Sequence, residues 1–128
     1  QPSDAGNPST TQGICPDGWH VPSDEEFKVQ EIALGMTVEE ADMVNTWRGA
    51  GVGTAIVTGG SSGYEALLSG RNATGTFWLL GDYEYSYTST GYGATYAWRR
   101  CYSGTVDTVG RWNTFPKTWS LSLRCVLD

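Results

Sequence analysis

Tyr83, Tyr85 and Tyr87 alternate with Glu84, Ser86 and Thr88, so in an extended chain the three rings project from one side. A tyrosine offers a flat apolar face with a polar tip, which suits stacking against a sugar or a protein partner. The same alternation equally describes a stripe turned into a core, and the pattern leaves both readings open. Trp112, Phe115 and Trp119 share a stretch with Asn113, Pro116 and Lys117, a mixture more like a contact surface than a core. Tyr83, Tyr85, Trp112, Phe115 and Trp119 are therefore the candidate ligand or partner contacts.

Acid–base and nucleophilic chemistry has little to work with. His20 alone would have to serve any triad, and no Gly-x-Ser-x-Gly elbow or Walker loop occurs. His20 reads instead as a turn residue bonded locally. No CxxC or Cys/His spacing points to zinc, and Asp82, Glu84 and Asp107 could ligate calcium only if the fold gathers them. Asp24, Glu25, Glu26, Glu39 and Glu40 fall in first helical turns, where the helix dipole favours them, and are not read as a catalytic or metal-binding set. No catalytic residue, metal or cofactor is expected. Asn72-Ala73-Thr74 is a glycosylation sequon, whose use would place Asn72 on the surface.

The elements that must position these groups are marked by local signals. Pro16-Asp17-Gly18 has turn chemistry. Ser23 can cap a helix over 24–34, with Glu26 completing a capping box and Pro22 and Phe27 at staple positions. Val29, Ile32 and Ala33 form its expected inward face and Gly35 its stop. The device repeats at Thr37 and Glu40, with Met36 and Ala41 as a staple and Ala41, Val44 and Trp47 or Arg48 facing inward. Residues 49–63 read as a long Gly-, Ser- and Thr-rich loop with little core to offer. Phe77-Trp78-Leu79-Leu80 reads as a buried strand. Thr95 to Tyr102 is another, with Tyr96, Trp98 and Arg100 on one face and Ala97, Arg99 and Cys101 on the other. Leu121, Leu123 and Cys125 alternate with polar residues in a final strand expected to thread the core.

The 128 residues are enough for one domain with a single core. With 17 Gly, 6 Trp and 7 Tyr but only 17% charged residues, the chain favours a β-rich fold with Gly-shaped turns over a helical bundle. A net charge of −6 argues against nucleic acid or an anionic membrane surface as partner, and no apolar run is long enough for membrane insertion. A start at Gln1, without Met or signal peptide, reads as a processed product or a fragment of something longer. Residues 1–12 carry no apolar side chain beyond Ala and Pro and read as an extended linker ahead of a single domain over 13–128. Three cysteines, Cys15, Cys101 and Cys125, leave one over.

The run Cys-Pro-x-Gly-Trp-His-x-Pro-Ser-x-x-Glu-aromatic from Cys15 to Phe27 resembles the opening signature of the Fibrobacter succinogenes major paralogous domain. That family occurs in secreted and surface proteins of bacteria. Ser62 to Arg71, Tyr87 to Thr90, Ala97 to Arg99 and Leu121 to Val126 follow its pattern in order, so the resemblance spans roughly 13 to 128. It implies an α+β, C-type-lectin-like fold: two short N-terminal helices packed on a twisted, mainly antiparallel β-sheet with long loops. It implies a secreted or cell-surface location and no established catalytic role. It also pairs Cys15 with Cys125, the two cysteines in family-like motifs, which leaves Cys101 as a buried thiol or an intermolecular link. Formylglycine-generating enzymes have a related fold, but their reactive cysteine pair is not reproduced. The Glu-Pro-Asn and Trp-Asn-Asp motifs of calcium-dependent lectins are missing.

Family members commonly carry an aromatic-rich strand ahead of the Cys-Pro motif, and here a polar Pro/Ser/Thr segment stands in its place. A sheet short of a strand has an open edge that an extended chain can complete. The expected function is therefore a structural or adhesive extracellular subunit, assembled with other copies of itself head-to-tail through residues 1–12. The alternatives are a carbohydrate-binding module whose partner is a glycan, or a chain whose tail folds back on its own domain.

Overall fold

The structure, a computed structural model, describes residues 3–128. In chain order the elements are β1 (Trp19–His20), α1 (Asp24–Ala33), α2 (Val38–Asp42), β2 (Thr46–Arg48), α3 (Val52–Ile56), β3 (Arg71–Ala73), β4 (Thr76–Trp78), β5 (Tyr83–Tyr92), β6 (Tyr96–Ser103), β7 (Val109–Pro116) and β8 (Val126–Leu127). Four strands form one antiparallel sheet in the order β2-β7-β6-β5, while β1 pairs with β8 and β3 with β4. The fold is α+β, with short helices and antiparallel sheets.

Both capping boxes form. Ser23 caps α1 and Thr37 caps α2, with Glu26 and Glu40 bonding back to the cap backbone. The inward face of α1 differs from the expected one. Val29, Ile32 and Ala33 face solvent, and Asp24, Phe27 and Glu31 are buried. The reason lies on the sheet: Arg100 bonds Asp24 and Glu31, Arg111 bonds Asp24 through both carboxylate oxygens, and Arg48 bonds Glu31. Charges can be buried where they are paired and hydrogen-bonded, so apolar periodicity misassigns this helix. Asp24 thus serves the sheet as well as the helix dipole.

The apolar core is made by Met36, Ala41, Val52, Ile56, Ala66, Tyr102 and Val109. Two of these come from α3, inside the stretch expected to be a loop without core. Gly53 sits in α3 with Asp107 and Thr108 carbonyl groups so close that a Cβ would come within 2.5 Å of backbone oxygen, which explains the small residue there. Val44 is exposed, because α2 ends at Asp42 and the chain turns into β2. The C-terminal strand is also shorter than expected. Val126 and Leu127 pair with β1, Ser122 makes a single bridge to Ser86 at the β5 edge, and Leu121 and Leu123 are half-buried beside the sheet instead of threading the core.

Phe77-Trp78-Leu79-Leu80 is likewise not a buried strand. Phe77 is 78% exposed, Trp78 52% and Leu80 76%. β4 pairs only with β3, and the chain leaves extended geometry at Leu79, where φ is +60°. The hairpin is tied to the domain through β3, where Asn72 pairs with Ser120, and it leaves the apolar run of β4 exposed.

Residues 3–12 are docked on their own domain. Asp4 N–H donates to Ser89 O, the Thr90 hydroxyl donates to Asp4 O, the Ser23 hydroxyl donates to Gly6 O, and Val21 N–H donates to Thr11 O. Ser9 is buried, its hydroxyl donating to Val21 O and its N–H to Glu26. The expectation of a free linker offered to a neighbour is corrected accordingly for these residues; residues 1 and 2 lie outside the described residues. The segment is held by hydrogen bonds, which its lack of apolar side chains does not forbid.

A disulfide joins Cys15 to Cys125, and Cys101 is a buried free thiol.

Candidate functional site

The sheet has two unlike faces. All three helices and the core lie against the face that carries Arg100, Tyr102 and Arg111. The opposite face gathers every candidate contact residue. β5 presents Tyr83 and Tyr85, β7 presents Trp112 and Phe115, and Trp119 follows β7. Tyr85 and Phe115 stack with ring centroids 5.8 Å apart, and Trp119 meets Phe115 edge-on at 4.8 Å. Tyr83 lies 6.1 Å from Tyr85. Trp47 of β2, absent from the expected set, closes the row against Tyr83 at 6.2 Å and Trp112 at 5.5 Å.

Register explains the grouping. Tyr85 lies opposite Cys101 and Tyr87 opposite Arg99, while Arg99 lies opposite Trp112 and Ala97 opposite Phe115. Side chains opposite one another across an antiparallel pair share a face. Trp112 reaches across the sheet because Gly110 leaves it room. A Cβ on Gly110 would stand 2.0 Å from a carbon of the Trp112 ring. Tyr85 is buried, and Tyr83, Trp47, Trp112, Phe115 and Trp119 are half-buried. The tyrosine stripe is therefore neither a plain core nor a free surface: one ring is packed and its neighbours form a partly open platform.

Two arginines are threaded through the rings. Arg99 lies 3.4 Å over the Phe115 ring and 5.0 Å from Tyr85 and Trp112. Arg71 of β3 lies 5.0 Å over each of Tyr85, Phe115 and Trp119. Aromatic faces attract guanidinium groups through the ring quadrupole. Burial lowers the Arg99 pKa to about 10 and raises Cys101 to about 11 and Tyr85 to about 12. At neutral pH the arginine stays charged and its neighbours stay neutral. The sequence offered Arg99 and Cys101 as one face of a strand, but only the cross-strand register brings that face under Tyr85.

A cleft of about 390 Å³ continues from the platform past Trp119, lined by Ile14, Tyr87, Ala97, Leu121 and Leu123 with Lys117 beside them. The Tyr87 hydroxyl donates to Pro116 O and is thereby fixed. Ile14, 87% exposed, is part of the wall.

Other candidates fall outside this region. Asp82 is exposed, while Glu84 accepts from the Ser69 hydroxyl and Asp107 from Gly51 N–H, so these two carboxylates have separate structural engagements. Among the described residues no group of three His, Cys, Asp or Glu side chains could hold a metal ion. His20 is buried between Glu26, 2.7 Å from Nε2, and Asp128, 2.6 Å from Nδ1, where it ties α1 to the C-terminal segment. Asn72 is half-buried in β3, its Oδ1 accepting from Gly75 N–H. No helix among the described residues is long and apolar enough to cross a membrane.

The family model of the Fibrobacter succinogenes major domain matches residues 5–127. No curated protein and no solved structure matches the chain.

Proposed function

The chain belongs to the Fibrobacter succinogenes major domain family, and on that footing we propose that it is a non-catalytic, secreted or cell-surface recognition module of C-type-lectin-like kind. Its ligand is a glycan, taken on the platform of Trp47, Tyr83, Trp112, Phe115 and Trp119. The observation that carries this reading is the partly open sheet face on which half-buried aromatic rings lie side by side, opposite the face that holds the core. Rings presented in this way stack on the apolar faces of sugars, while hydroxyl and guanidinium edges supply hydrogen bonds.

Binding to a panel of immobilised glycans tests the proposal, with Trp112→Ala and Trp119→Ala beside the native protein. Both changes should abolish binding while far-UV circular dichroism stays unchanged. Collapse of the fold in both variants would make the rings structural and remove the reading.

A self-assembling extracellular subunit is the second reading. Its support has moved from the N-terminal segment, which is bonded to its own domain, to the exposed apolar run at Phe77, Trp78 and Leu80. Sedimentation of the native protein should then give a species larger than 13.9 kDa. A monomer at high concentration would argue against it.

A further inference from the structure

The cation content of the platform is out of keeping with the rest of the molecule. Asp and Glu outnumber Lys and Arg by 14 to 8, and Arg48, Arg100 and Arg111 are each paired with Asp24 or Glu31. Arg71 and Arg99 have no such partner among the described residues. Arg71 Nε and Arg99 Nε and Nη1 are shut off from water without a hydrogen-bond acceptor. Arg99 is only 5% exposed.

Ring faces compensate part of the positive charge, but they attract along the normal to the guanidinium plane. The N–H groups point within that plane and need oxygen acceptors. A buried donor left without one is costly, and two like charges flanking the same two rings, Tyr85 and Phe115, repel each other. One anionic group at the edge of the platform relieves the repulsion, and half-buried Arg71 is the one of the two arginines it can reach. A guanidinium binds a carboxylate or a sulfate with two parallel hydrogen bonds, a geometry that a point charge cannot match.

We propose that the platform selects acidic glycans: Arg71, half-buried at its edge, contacts a carboxylate or sulfate group on the sugar, and Arg99 holds a second positive charge behind the Tyr85–Phe115 stack. Arg71 is the contact residue. Arg99 acts through the field it adds and through the rings it orders. This inference rests on the glycan reading of the same face.

The test compares polymers that differ only in charge. Polygalacturonate is set against its methyl ester, and dextran sulfate against dextran, by isothermal titration with the native protein in low salt. At least one charged polymer should bind tenfold or more tighter than its neutral counterpart, and added salt should weaken that binding. Whichever pair shows the difference assigns carboxylate or sulfate. Arg71→Gln should bring the charged polymer down to the affinity of the neutral one, and Arg71→Lys should recover only part. Trp112→Ala should remove binding of both.

Equal binding of charged and neutral polymers would overturn the anion inference and leave the glycan platform standing. A charge preference that survives intact in Arg71→Gln would also overturn it, because a cation elsewhere on the molecule would then be the contact. Failure of all four polymers, together with a blank glycan panel, would bring down the platform reading itself.

Discussion

Arg100 Nε donates to Glu31 Oε1 at 2.5 Å, and both side chains are wholly shut off from water. Glu31 also accepts from Arg48 at its other oxygen, so one carboxylate bridges two arginines between α1 and the sheet. Its neighbour Asp24 does the same for Arg100 and Arg111. Two carboxylates therefore join the first helix to β2, β6 and β7, in the position that a row of leucines fills in a more ordinary domain.

Glu31→Ala should be among the most damaging single changes. It leaves buried Arg48 without its anion and Arg100 with Asp24 alone, a loss of about 3–5 kcal/mol by comparison with other broken buried pairs. That is a large part of the stability of a domain this size. A urea titration measures it as a lowered midpoint. A loss below about 1 kcal/mol would mean that the network is open to water.

Acid should find the network last. Burial alone would raise the Asp24 pKa, but hydrogen bonds from Arg111 and the charge of Arg100 outweigh it and hold the carboxyl at about 2. A depressed carboxyl stabilises the fold above its unfolded pKa, and that contribution disappears as pH falls through about 2. His20 acts with the opposite sign. Burial disfavours its charge, yet the bonds to Glu26 and Asp128 prevail and raise its pKa. Its contribution is complete below the unfolded value near 6.5 and is lost as pH rises through the folded one. Between pH 6 and 9 the melting temperature should fall in the native protein and fall less in His20→Gln. Equal slopes in the two proteins would rule out the histidine as the cause.

Cys101 should be silent in the native protein. Burial beneath Tyr85 and Arg99 raises its pKa to about 11, and the thiolate is the reactive form. Ellman's reagent at pH 7.5 should titrate no thiol in the folded chain and one after unfolding. Rapid reaction in the native state would show that the platform opens.

Gly110→Ala should disturb the platform without touching a ring. The new methyl would stand 2.0 Å from the Trp112 ring, which must rotate away. Overpacking of this kind costs about 1–3 kcal/mol. The near-UV circular dichroism of the tryptophans should change, and glycan binding should drop with it. An unchanged spectrum would show that Trp112 has another way to lie.

Features decided within a few residues were legible in the sequence. Both capping boxes depend on a residue and its third neighbour, and the two faces of β6 follow from alternation alone. The aromatic richness of the stretches holding Tyr83, Tyr85, Trp112, Phe115 and Trp119 was legible for the same reason. Their assembly was not legible, because Trp47, Arg71 and Arg99 arrive from three other strands. The burial of Asp24 and Glu31 was hidden for the same physical reason. Their partners Arg100 and Arg111 lie 69 to 87 residues away, and without those partners a carboxylate belongs outside. Phe77 to Leu80 misled in the other direction: apolar content shows what a strand could bury, and not whether anything lies beside it.

The Cys15–Cys125 bond encloses everything from the turn at Pro16 to the last residue before β8. A pulling force that enters before Cys15 and leaves after Cys125 therefore runs through the sulfur atoms and bypasses the sheet. Held between its two ends in an optical trap, the oxidised domain should lengthen only by the few residues outside the bridge. After reduction it should release a further length on the order of 400 Å, at about 3.5 Å per residue over the sequence separation of 110 between the cysteines. For the cell-surface module proposed above, that is the difference between a site that keeps its shape under shear and one that is pulled apart by it.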